Sequence, residues 1–127
     1  MQSVMSQVQE DYLDFLEKYA GRWNQFDGSR IRKDLRAARH LWRAVVMAQN
    51  PLHPWSVGIL LRDFQRNRYA VDTLYILTDK SSLPELEDLV QQWTADDVEI
   101  IHDENALAQF LGAPSPEGTV IYSLWWD

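Results

Sequence analysis

Apolar residues recur at spacings of three and four over the first half of the chain, then change to shorter, denser runs. Met5, Val8, Tyr12, Phe15, Leu16, Tyr19 and Trp23 fall on one stripe and predict a helix over residues 3–23. Gly21 and the pair Asp27-Gly28 close it. Ser29 offers an N-cap hydroxyl for a second helix running to about Ala48, with Ile31, Leu35, Ala38, Trp42 and Val45 as its stripe. The stretch Asn50-Pro51-Leu52-His53-Pro54 stops that helix, and Val57, Leu60, Leu61 and Phe64 predict a third over 55–67, with a strand over SVGILL as the competing reading.

From residue 71 the period shortens. VDTLYILTD (71–79) is β-branched, aromatic and apolar on both faces, as a buried parallel strand would be. SSLPELEDLVQQW follows as a helix with a capping box at Ser82 and Glu85. VEIIHD (98–103) is a short strand, ENALAQFLG a helix ended by Gly112 and Pro114, and GTVIYSLWWD the last strand. Strand, helix, strand, helix, strand implies a three-stranded parallel sheet with right-handed crossovers. The short middle strand, carrying Glu99 and His102, is expected at an edge, giving the order 2-1-3. The expectation is therefore an α/β fold: a small three-layer sandwich in one domain, 1–127. Helices of 1–70 cover a βαβαβ unit of 71–127.

Composition changes this picture in two places. The chain has 127 residues, 46% of them apolar, enough for one core. It has no cysteine, which excludes disulfides and thiolate chemistry, and its three scattered histidines lack the spacing of a zinc site. No apolar run reaches the roughly 18 residues of a membrane span and the N-terminus lacks a signal-peptide pattern, so a cytoplasmic protein without membrane contact is expected. Six tryptophans is a high number; most should be core, and Trp126 is taken as a partner anchor.

Charge is segregated. The net charge of −7 divides into −3 over residues 1–27, +7 over 28–70 and −11 over 71–127. Within the basic middle, Arg32, Arg36, Arg39 and Arg43 fall at i, i+4, i+7 and i+11, one line along a helix about 100° from the apolar stripe. That line could face an acidic protein or follow a phosphate backbone, although the net charge opposes nucleic acid; otherwise it pairs with the chain's own carboxylates or lies in water. Packing beside Trp42 predicts that Arg39 and Arg43 are the more buried and paired, and Arg32 and Arg36 the more available.

Asp79, Asp103 and Asp127 each end a predicted strand, 24 residues apart. In a parallel sheet all three would share the carboxyl edge, where they could hold Mg²⁺, with Lys80, Ser81 and Ser82 at a helix N-terminus to receive a phosphate. Acids grouped at strand ends are similar to the arrangement in receiver-like and Toprim-like domains. No paired aspartates and no glycine-rich phosphate loop accompany them, so the chain is assigned to neither. The alternative roles are Asp103 as a helix N-cap, Asp79 as a turn residue and Asp127 as a solubilising end. No nucleophile elbow or local Ser-His pair occurs; His102 beside Asp103 is the better candidate base, and His53 shapes a turn. The resulting expectation is a small protein-binding module of the regulator, inhibitor or immunity type, without catalysis or cofactor. A Mg²⁺-dependent phosphate or nucleotide site, or phosphohydrolase, is the alternative, and nucleic-acid binding by the arginines comes third.

Overall fold

A computed structural model of the chain describes residues 5–20, the backbone of 22–23, residues 25–49, residue 58 and residues 61–127. The first helix, α1 (Gln7–Tyr19), is capped by the Ser6 hydroxyl, which accepts from Gln9 N–H at 3.1 Å. Its buried stripe is Leu13 and Leu16, turned slightly from the expected one, so Val8 is 81% exposed. Two-residue strands β1 (Arg22–Trp23) and β2 (Phe26–Asp27) pair as a small hairpin. Asp27, rather than Ser29, then caps α2 (Gly28–Ala37) by accepting from Arg30 N–H.

The second helix stops eleven residues short of its expected end. After α2 comes a single 3₁₀ turn, Arg39–Leu41, and then a strand, β3 (Ala44–Ala48). No glycine marks the stop. Instead the Trp42 indole N–H folds back onto the Leu35 carbonyl at 2.7 Å, satisfying one of the acceptors that a helix end leaves open. Val45 and Met47 then turn to one side and Ala44 and Val46 to the other, a period of two that the helical stripe had concealed. Of the expected third helix, α3 (Leu61–Gln65) is described, with Leu61 exposed and Phe64 half-exposed, its ring stacked on Tyr69. Gly58 bridges Gln49; the remainder of SVGILL and His53 lie outside the described residues.

The C-terminal part forms β4 (Thr73–Asp79), α4 (Leu83–Val90), β5 (Asp97–Ile101), α5 (Glu104–Leu111) and β6 (Thr119–Trp125). The three-stranded parallel sheet of order 2-1-3 is not formed. The sheet has four strands in the order β3-β4-β6-β5, and every neighbouring pair is antiparallel. β4 and β6 are neighbours, but run in opposite directions, and β5 pairs with β6 instead of β4.

The reason lies in the connections. The 3₁₀ turns on both sides of α4 extend that connection over residues 80–93 and carry the chain past β6 to β5, parallel to β4. Helix α5 has only eight residues, about 12 Å of rise, with no 3₁₀ turns beside it. Gly112 (φ 72°) ends it in the left-handed region and Gly118 (φ 79°) turns the chain straight into β6. β6 thus begins at the end where β5 finishes. A strand buried on both faces reads the same in either direction, so the apolar pattern of 71–79 does not distinguish a parallel strand from an interior antiparallel one.

Helices cover both faces. On one, α1, α2 and α4 place Leu13, Leu16, Ile31, Leu35, Leu86 and Val90 over Val45, Met47, Leu74, Ile76, Tyr122 and Leu124. On the other, Leu107 and Phe110 of α5 pack on Tyr75, Leu77, Ile101 and Ile121. Trp126 is fully buried beneath the first layer, edge-on to Phe26 and donating its indole N–H to the Trp93 carbonyl at 3.1 Å. Truncating an aromatic in that position costs about 3–5 kcal/mol.

Candidate functional site

Reversal of β6 separates the three aspartates. Asp79 ends β4 and Asp103 follows β5 at one end of the sheet, while Asp127 follows β6 at the other, where its backbone N–H donates to Asp96 Oδ2 at 2.7 Å. Asp79 is engaged by Arg43, whose Nη2 and Nε lie 2.8 and 3.1 Å from its Oδ1. Asp103 caps α5 by accepting from Ala106 N–H at 3.0 Å. Lys80 and Ser81 belong to a 3₁₀ turn between Asp79 and α4, and Ser82 makes no side-chain cap bond. Among the described residues no three His, Asp or Glu side chains are grouped to hold a metal ion. A polar cleft of about 590 Å³ does open at this end, lined by Lys80, His102, Glu104, Pro116 and Thr119 among others. The Thr119 hydroxyl inside it is already spent on the Pro116 carbonyl, 2.6 Å away.

The arginine line is broken where α2 ends; Arg43 is paired as expected, with Asp79, although exposed, while Arg32 and Arg36, expected to be available, are paired too. Arg32 reaches Asp14 (2.7 Å) and Glu17 (3.5 Å), and Arg36 reaches Glu10 (3.3 Å) and Asp14 (3.2 Å), so both are clamped to the acidic side of α1. Arg39 has no carboxylate partner among the described residues; its guanidinium lies 4.3 Å from the Trp42 ring centre and donates to the carbonyls of Trp42 and Arg43. Partial burial lowers its pKa from the ordinary arginine value. Trp126, expected at a partner surface, is a core residue.

These pairings leave most of the acidic C-terminal part without a counter-ion among the described residues. Of the twelve acids in 71–127, Glu85, Glu87, Asp88, Asp96, Asp97, Glu99, Asp103, Glu104 and Glu117 make no ion pair with the described residues. Five of the nine lie on α4 and β5: three on the helix and two, Asp97 and Glu99, on the strand. The field reaches inward as well. Tyr75, with Ser123 and Glu99, forms one cross-strand row, and its phenol is pushed up to about 12, first by burial and then by Asp72 and Glu99.

The two sheet edges differ in backbone pairing. At β3, the Gln9 side chain accepts from Val45 N–H (2.9 Å) and donates to the Val45 carbonyl (3.0 Å). The Tyr12 hydroxyl does the same at Met47, accepting at 2.8 Å and donating at 3.0 Å, and it touches the Tyr69 hydroxyl at 2.8 Å. Burial and this mutual contact raise the Tyr12 pKa; burial raises that of Tyr69. At β5 no other element among the described residues supplies such groups. Val98 N–H turns instead to the carboxylate of its own neighbour, Asp97, at 3.0 Å. The helices of the first layer also stop short of this strand, so Val98 and Ile100 remain 44% and 36% exposed. Sequence reasoning missed both features, because neither the sealing role of Gln9 and Tyr12 nor the open edge is visible until β3 and β5 are placed.

No helix of the described residues is long and apolar enough to cross a membrane. Comparisons with protein-family models, with curated proteins and with solved structures find no match to this chain.

Proposed function

We propose that the chain is a non-catalytic protein-binding module that engages a basic partner through the unpaired carboxylates of α4 and of β5. The observation that carries this reading is the use of the arginines. Arg32 and Arg36 are neutralised by α1, and Arg43 meets a single acid of the last third, Asp79, so among the described residues the basic middle of the sequence offsets little of that third. A surface that keeps carboxylates of one sign without counter-ions repels acidic neighbours, attracts a basic one and raises its rate of encounter. The same pairing leaves the arginines poorly placed for a phosphate backbone, and only two of the three strand-end aspartates share an end.

The test is affinity capture from native extract at low and at about 0.5 M salt, using the wild type and Glu85→Lys/Glu87→Lys/Asp88→Lys. Basic proteins retained at low salt, lost at high salt and lost to the charge-reversed variant support the reading. Partners retained regardless of salt and of charge reversal would refute it.

A further inference from the structure

We infer that β5 is a docking edge, where an extended segment alternating apolar and basic residues adds to the sheet as a fifth strand. This rests on the reading of the chain as a binder of basic proteins, and states how that contact is made. An edge strand presents a row of unpaired backbone groups, and proteins commonly block it. Here one edge is blocked by Gln9 and Tyr12, which stand in for a missing strand at Val45 and Met47. The other edge receives no such cover from the described residues.

Hydrogen-bonding direction alternates along an antiparallel pair. Since Val98 N–H points away from β6 to the Asp97 carboxylate, the outward-facing backbone groups of β5 are those of Val98 and Ile100. Their side chains are exposed on one face of the sheet, and those of Asp97 and Glu99 on the other. A strand laid against this edge therefore meets valine and isoleucine on one side and two carboxylates on the other. Opposite charges directly across a strand pair favour it and like charges oppose it.

That charge pattern selects the occupant. Two copies of β5 paired about Glu99 set Glu99 against Glu99, and paired about Val98 they set Asp97 against Glu99. Paired about Ile100 they set Asp97 against Asp103. A second copy meets like charges in each of these registers. A segment with lysine or arginine at alternate positions is attracted, and its backbone carbonyl replaces the Asp97 carboxylate on Val98 N–H. Asp97 is thereby released to meet the incoming cation. The Asp97 side chain thus serves as a detachable cap, in place until a basic strand arrives.

The probe is a blocked seven-residue peptide alternating lysine and valine, compared with a peptide of the same composition with its lysines and valines in separate blocks. Binding is followed by titration, and amide hydrogen exchange is read at Val98 and Ile100. The alternating peptide should bind about tenfold more tightly than the block peptide, and should slow exchange at Val98 and Ile100 while leaving Val45 and Met47 unchanged. Asp97→Lys/Glu99→Lys should lose that peptide and gain one alternating glutamate with valine. Equal, salt-sensitive binding of both basic peptides without protection at β5 would overturn the docking edge yet leave the acidic-surface reading standing. Binding of neither peptide would count against both. Protection of Val98 that grows with protein concentration and no peptide would instead show a second copy on the edge, and would also overturn the proposal.

Discussion

At β3 the sheet ends against a helix, and a glutamine and a tyrosine three residues apart on that helix take the bonds a further strand would have made. At β5 it ends with valine and isoleucine partly exposed, acids on the opposite face, and one amide held by a neighbouring carboxylate. Both solutions discourage unwanted strand pairing, but by different physics. Saturated hydrogen bonds exclude every partner. Charge excludes only partners of the same sign. The first edge is committed to stability and the second retains a choice.

The difference predicts a strong asymmetry in mutational cost. Gln9→Ala combined with Tyr12→Phe strips the sealed edge, removing the partners of the Val45 N–H and carbonyl and of the Met47 N–H, while the Met47 carbonyl keeps the Tyr69 hydroxyl at 2.7 Å. Each such loss costs about 1–3 kcal/mol, so the double variant should lose about 2–5 kcal/mol in denaturant unfolding. It should also self-associate in sedimentation as its concentration rises, because an unsealed edge templates pairing. Full stability with no association would show that these bonds do not seal the strand.

Next in size is Arg32→Glu/Arg36→Glu. The sequence alone suggested that this pair is spare; in the structure it faces Glu10, Asp14 and Glu17. Exposed pairs contribute about 0–1 kcal/mol each, and reversal adds repulsion, giving an expected loss of about 1–3 kcal/mol that added salt reduces. A loss that is insensitive to salt would point to packing of the arginine stems instead.

A smaller effect concerns alkaline pH. Tyr12, Tyr69 and Tyr75 have phenols raised above the ordinary value near 10, chiefly by burial. A raised phenol contributes stability that is complete below the unfolded pKa and is lost as pH climbs through the folded one. Unfolding free energy should therefore begin to fall above about pH 10, and for Tyr75 the decline should be complete near its value of about 12. Tyr12→Phe should flatten that decline, as measured by denaturant midpoints across the range. The smallest effect belongs to the open edge. Asp97→Ala/Glu99→Ala should change stability by no more than about 0.5 kcal/mol per site, as usual for surface positions. A cost comparable with that at β3 would erase the asymmetry.

What could be read from the sequence follows the same division between local and distant causes. Local signals were legible. The density of apolar residues in 71–79 and 119–126 marks two interior strands, and Asp103 and Gly112 bracket α5 where their side-chain chemistry says they should. Strand direction was not legible, because an interior strand is apolar on both faces whichever way it runs. With direction misassigned, the regular spacing of Asp79, Asp103 and Asp127 suggested a convergence that the antiparallel β6 undoes. β3 was hidden because Trp42 and Val45 also fit a helical stripe, and only the return of the Trp42 indole to Leu35 ends the helix. The acidic surplus of the last third was plain from the sequence; that the arginines offset little of it depends on which helix α2 lies against.

The cross-strand partner of Asp97 is Trp125, half-buried on the same face of the sheet. Trp42, Trp93 and Trp126 are buried in the core, away from solvent. A collisional quencher that enters only the surface layer will therefore act on Trp125 before these three. When a cationic strand settles over Asp97, that accessible fraction of the fluorescence should shrink while the core indoles stay as they were. The edge thus carries its own optical reporter, one residue across from the charge that selects the partner.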